Sequence, residues 1–166
     1  MADPAPIRAA VLTVSTSRAA GARSPDKSGD ALAALLTGAG AELVARELVA
    51  DDEAAIREKL RDLADGGGCD LVLTTGGTGM APDDLTPEAT RDAIEREAPG
   101  IAEALRAESA RHSAQAMLSR GVAGIRGRTL IVNLPGSARA CEECFAVLAP
   151  VLEHAVALLR GEPAGH

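Results

Sequence analysis

Apolar residues recur along this chain in two rhythms: short unbroken runs, and longer segments in which they return every three or four positions. The run at 7–15 (IRAAVLTVS) predicts a buried strand, and 41–49, 71–75 (LVLTT) and 129–134 (TLIVNL) read the same way. Between them, Leu32, Leu35 and Leu36 place an apolar stripe on a helix over 29–39, which Gly38 and Gly40 end. Ile56, Leu60, Leu63 and Ala64 do the same for a helix that Asp51 or Asp52 caps and the glycines at 66–68 stop. Thr86-Pro87-Glu88 predicts a helix start, with Thr86 as cap and Pro87 in the first helical position. That helix is expected to run to about Ala98, where Pro99-Gly100 breaks it before another carrying Ile101, Ala104 and Leu105. Beyond the turn at Pro135-Gly136-Ser137 a helix runs through Cys144, and Pro150 divides it from a last helix at 151–159. Residues 16–28 read as a long polar loop. Alternating strands and helices without an internal repeat predict an α/β fold: a three-layer, doubly wound, mostly parallel sheet with helices on both faces. One domain over 1–166 is expected, with 1–6 and 161–166 as frayed tails.

Composition narrows the function classes. Apolar residues are 46% of the 166, enough for a core, yet Phe145 is the only aromatic. A net charge of -7 and the lack of aromatics argue against nucleic-acid or anionic-membrane binding. The first residues have no basic flank followed by an apolar stretch, and no segment approaches the length of a membrane span, so a cytoplasmic location is expected. Three cysteines, Cys69, Cys141 and Cys144, fit a reducing compartment.

Ligands of such sheets gather at the carboxyl ends of strands. Three loops lie there: residues 15–28, residues 75–85 and the turn from Asn133 to Ser137. Gly76, Gly77 and Gly79 would let backbone N–H groups approach an anion, with the Thr74, Thr75 and Thr78 hydroxyls as further donors. The same glycines also suit a plain tight turn, and the residues alone leave both readings open. The spacing is neither G-x-G-x-x-G nor G-x-x-x-x-G-K-[ST], so neither a Rossmann site nor a P-loop is supported. Asp52 and Asp84 follow the second and third strands, and paired carboxylates beside a phosphate loop suit Mg²⁺; helix capping is the alternative for each. Cys141-x-x-Cys144 falls within a helix and lacks further ligands, so it reads as helix packing. His112, His154 and His166 form no ligand spacing, and the charges from Arg91 to Glu97 read as a solvated helix face.

Taken together, the motifs are recognisable. Leu73-Thr-Thr-Gly-Gly-Thr-Gly79, Asp84-Leu-Thr-Pro-Glu-Ala-Thr90, Glu97-Ala-Pro-Gly100, Met117-Leu-Ser-Arg120, Gly124-Ile-Arg-Gly127 and Leu134-Pro-Gly-Ser137 occur in order over nearly the whole chain. In this it resembles the molybdenum-cofactor biosynthesis family of the MogA/MoaB type, molybdopterin adenylyltransferases, and is similar to the corresponding domain of gephyrin. The resemblance implies a homotrimer that transfers AMP from Mg-ATP to the terminal phosphate of molybdopterin, releases pyrophosphate, and passes the product toward a downstream molybdate-inserting enzyme. It implies that Asp52 and Asp84 are the catalytic and Mg²⁺-holding residues. It also implies that molybdopterin or nucleotide meets Ser15, Thr16, Ser17, Thr75, Gly76, Gly77, Thr78, Gly79, Glu88, Ser119, Arg120, Pro135, Gly136 and Ser137. The chain departs from the pattern at Thr16, where many members carry Asp, and at Asp83, where many carry Arg. Two alternatives stay open: a non-catalytic molybdopterin-binding carrier trimer, and the molybdate-inserting transferase, which usually has Ser in place of Thr78.

Overall fold

In the computed structural model, which describes residues 3–66 and 68–163, the four apolar runs all become strands. They are β1 (Arg8–Val14), β2 (Glu42–Val49), β3 (Leu71–Thr75) and β6 (Thr129–Leu134). Two further strands, β4 (Arg96–Glu97) and β5 (Ala123–Arg126), complete one sheet of order β2-β1-β3-β6-β5-β4. The first four strands of that order are parallel, while β5 and β4 run antiparallel at one edge. Alternate residues of each central strand feed two cores, as the pleat requires. Val11, Leu73 and Val132 face one side, where α2 (Lys27–Gly38), α5 (Pro99–His112) and α6 (Ala138–Arg160) pack. Leu12, Val72 and Ile131 face the other, under α3 (Glu53–Asp65) and α4 (Thr86–Ala93). The chain leaves β1 toward β2 on one side and returns to β3 on the other, so the order reverses between β1 and β3. That is where doubly wound sheets open a crevice at their carboxyl ends.

Four expectations are corrected. The segment 16–28 is not all loop: Ser15 caps a one-turn helix, α1 (Thr16–Ala19), with its hydroxyl accepting from Arg18 N–H. The helix from Thr86 stops at Ala93 rather than near Ala98, because the backbone turns extended at Ile94 and Arg96–Glu97 pairs with β5. Gly124 makes that pairing possible, since a Cβ there would lie 2.7 Å from Arg96 O and collide with Ile94. The charges of 91–97 therefore end on an edge strand, where charge also discourages pairing with foreign strands. Thr86 is not a helix cap; Leu85 occupies that position, and the Thr86 hydroxyl donates instead to Gly76 O at 2.9 Å. Finally, Pro150 lies inside one continuous helix, α6. A mid-helix proline costs about 3 kcal/mol, but Phe145 and Leu148 before it and Leu152 and Val156 after it are all buried, and their packing offsets the loss.

At the amino ends of the strands, Arg160 closes the structure. Its guanidinium donates to both carboxylate oxygens of Asp70, at 3.1 and 2.6 Å, and to Ala5 O and Pro6 O, at 3.0 and 2.9 Å. Gly161 then ends α6 in the left-handed conformation at φ 75°. The tails expected at 1–6 and 161–166 fall partly outside the described residues.

Candidate functional site

Two glycine turns meet at the carboxyl ends of β3 and β6. Gly76 and Gly77 have φ of 98° and 68°, a region costly for any residue with a side chain. A Cβ on Gly76 would stand 2.5 Å from Val14 O, so the turn passes directly over the end of β1. A Cβ added to Gly136 would be 3.5 Å from the Gly76 Cα, which places the second turn against the first. Thr75 ties them by donating from its hydroxyl to Pro135 O at 2.7 Å.

Arg120 braces the far side of the loop. It lies just after a short 3₁₀ helix (Ala114–Leu118). Its side chain donates to Gly79 O at 2.7 Å, to Asp84 O at 2.6 Å and to the Glu88 carboxylate, and its own N–H donates to Thr78 O at 2.8 Å. The hydrogen bond from Arg120 holds the Glu88 carboxyl below its ordinary value, against the opposing effect of partial burial. Asp84 folds back over the loop it follows, accepting from Ala81 N–H at 3.0 Å, with Oδ2 only 2.8 Å from where a Gly79 Cβ would sit. Asp84 therefore does not cap α4, whereas Asp52 does cap α3, accepting from Ala55 N–H at 2.8 Å.

The first loop is attached through Asp51. Its Oδ2 accepts from Thr16 N–H at 3.0 Å and from the Thr16 hydroxyl at 2.9 Å, while the same hydroxyl accepts from Asp51 N–H at 3.0 Å. Asp51 Oδ1 in turn lies 3.3 Å from where a Gly77 Cβ would be. Ser15 and Ser17 sit on this loop with their hydroxyl oxygens 3.4 Å apart. Thus the loops after β1, β2 and β3 converge, and Asp52 belongs to the same cluster through its neighbour.

A cavity of about 330 Å³ opens beside the turns, between α5, α6 and the 3₁₀ segment. Of the residues expected at the site, Thr78, Gly79, Ser119, Pro135 and Ser137 line it, whereas Ser15, Thr16, Ser17, Asp52, Thr75, Gly76, Gly77, Asp84, Glu88, Arg120 and Gly136 are not part of its lining. Sequence reasoning assigns no site role to Asn133, Asp51, Ser109 or Glu143. Asn133 had a visible signal, as a lone amide in the apolar run TLIVNL. It is buried, donates to Thr74 Oγ1 and Thr90 Oγ1, both at 3.0 Å, and accepts from Val122 N–H at 3.1 Å. Ser109 and Glu143 line the cavity only because α5 and α6 dock, which no local pattern announces.

The cysteines are packing residues. Cys141 lies under the turn, 3.1 Å from Pro135 O, and burial pushes its thiol up to about 11. Cys144 contacts Ser109 Oγ at 3.3 Å, and burial raises it too. Among the described residues no group of three or more His, Cys, Asp or Glu is placed to hold a metal ion. His112 contacts Glu108 at 3.1 Å and Glu143 at 3.6 Å, and His166 lies outside the described residues.

Residues 10–154 match a family described as a probable molybdopterin binding domain. The chain belongs to this family. Its fold is that of the molybdopterin biosynthesis enzyme MoaB from Thermus thermophilus, with a TM-score of 0.87, 47% identity, and 96% of this chain and 99% of that one covered. The molybdopterin adenylyltransferase of Helicobacter pylori J99 is 43% identical over 115 residues, which are 69% of this chain and 65% of that protein. The molybdenum cofactor synthesis protein cinnamon of Drosophila melanogaster is 46% identical over 112 residues, 68% of this chain and 19% of that protein. The chain thus spans less than two thirds of the length of these curated family members. No helix among the described residues is long and apolar enough to cross a membrane.

Proposed function

We propose that this chain transfers AMP from ATP to the terminal phosphate of molybdopterin and thereby acts in molybdenum-cofactor biosynthesis. The observation that carries the reading is the junction of the Gly76-Gly77 and Gly136 turns at the rim of the 330 Å³ cavity. The turns suit a phosphate approached by backbone N–H groups, and the cavity suits the fused rings attached to it. In the reaction a phosphate oxygen of molybdopterin forms a bond to the α-phosphorus of ATP, the bond between the α- and β-phosphates breaks, and pyrophosphate leaves. No covalent enzyme intermediate is required, so alignment and charge neutralisation carry the catalysis.

The chain's own residues divide that work. The glycine loop holds the attacking phosphate, Arg120 and Glu88 keep the loop in shape, and Asp51 with Thr16 fixes the first loop beside it. Asp52 and Asp84 each take a hydrogen bond from a backbone N–H, which orients the carboxylate. This donor set fits Mg²⁺, which binds through one or two carboxylates plus substrate phosphates and needs no all-protein cage. When bound, Mg²⁺ supplies neutralisation of the nucleotide's phosphates.

The assembly read for the active protein is a homotrimer in the cytoplasm that hands its product to a molybdate-inserting enzyme. Association between copies is supported by the apolar groove between α5 and α6, where Val151 and Leu158 are 48% and 51% exposed, and the number three follows the family resemblance. Incubation with molybdopterin, Mg²⁺ and ATP should yield adenylylated molybdopterin and pyrophosphate, and light scattering should give about three chain masses. Pterin binding without product would leave a carrier in place of an enzyme. A monomer at micromolar concentration would overturn the assembly alone.

A further inference from the structure

The cavity is polarised in a way that the transfer reaction does not use. Thr78 and Gly79 form one end, while the wall from α6 carries Ser137, Ala140, Glu143 and Cys144, which recur at helical spacing on one face. At 1.5 Å per residue, Glu143 lies about 9 Å along α6 from Ser137, the residue next to the Gly136 turn. Its side chain is only 18% exposed. His112 Nδ1 at 3.6 Å and Arg139 Nε at 3.3 Å both meet Oε1, and neither contact engages Oε2. The other charged residue of the lining, Arg106, donates to Gly121 O at 2.6 Å and offers no acceptor.

We propose that Glu143 is a specificity-determining residue that accepts hydrogen bonds from the N3–H and 2-amino group of the pterin. This rests on the reading that the cavity takes molybdopterin. A 2-amino-4-oxopteridine presents those two donors side by side on one edge, and Oε2, with two lone pairs, can accept from both. Fused rings bridge the span between that edge and a phosphate on the glycine loop. The negative charge also repels phosphate, so it disfavours the reversed orientation.

Two probes test the assignment: 6-hydroxymethylpterin phosphate and its lumazine counterpart, in which an oxo group replaces the 2-amino group and sets an acceptor against the carboxylate. Wild-type protein should bind the pterin about tenfold to a hundredfold more tightly than the lumazine, as expected for hydrogen bonds to a charged group. Glu143→Gln should lose most of that preference while its affinity for ATP stays at the wild-type value. A purely structural role would weaken both probes alike and leave their ratio unchanged, and that result would overturn the proposal. Glu143→Asp keeps the charge with a shorter reach and should retain part of the preference, so the ratio is readable even if the glutamine variant folds poorly. Failure of wild-type protein to bind either probe would instead overturn the molybdopterin reading beneath it.

Discussion

Asn133 offers the most direct measure of how firmly the site is built into the core. Asn133→Ala removes two hydrogen bonds to threonine hydroxyls and the acceptor of Val122 N–H. Val122 is buried, so its N–H is left without a partner, at about 1–3 kcal/mol; each lost hydroxyl contact adds about 0.5–1.5 kcal/mol. The sum is about 2–6 kcal/mol, and at about 2–4 °C per kcal/mol for a domain of this size the thermal midpoint should fall by about 4–24 °C. With no Trp or Tyr in the chain, far-ultraviolet circular dichroism is the suitable probe, followed through thermal unfolding for the midpoint and urea unfolding for the free energy. Asn133→Asp sharpens the test, because it keeps an acceptor for Val122 N–H but removes both donors and introduces a carboxyl into a buried site. Burial raises the pKa of that carboxyl above its unfolded value, so the variant should gain stability relative to wild type as pH falls from 7 toward 5. A loss below about 0.5 kcal/mol for Asn133→Ala would refute the reasoning, since it is smaller than one ordinary hydrogen bond.

Three further outcomes are expected. Asp84→Asn and Asp52→Asn should each lower turnover by on the order of a hundredfold or more while pterin affinity, measured by titration, changes little; wild-type turnover with reduced thermal stability would leave only loop and cap roles. Gly77→Val should abolish binding of molybdopterin yet leave a folded oligomer, because the added side chain meets Thr86 and forces φ 68° on a β-branched residue; an unaltered dissociation constant would remove the phosphate cradle. Arg120 depresses the Glu88 carboxyl, so the stability this pair gives is full above the ordinary value of 4.5 and fades as pH falls through the lowered one. Denaturation midpoints of Glu88→Gln and wild type should therefore differ at pH 7 and converge in acid.

Legibility followed how local the determining physics is. β3 and β6 are found at their observed bounds, since an apolar run flanked by polar turns and covered on both faces needs no information from elsewhere in the chain. β4 and β5 are invisible for the opposite reason. Two and four residues long, they exist only through pairing that Gly124 permits. Pro150 misled because local propensity is overridden by burial on both of its flanks. At the site, the glycine loop is legible from composition, but the role of Arg120 is not. Its partners lie between 32 and 41 positions away, and only the folded chain brings them to its guanidinium.

The clasp of Arg160 on Asp70, Ala5 and Pro6 has a practical side. It brings residue 5 and residue 160 to the pole from which the parallel strands set out, while the cavity lies at the pole where they finish. A tether that leaves the fold at residue 5 or residue 160 therefore starts at the pole away from the cavity. Protein anchored to a sensor surface through such a tether should present an unobstructed mouth, whichever end carries it.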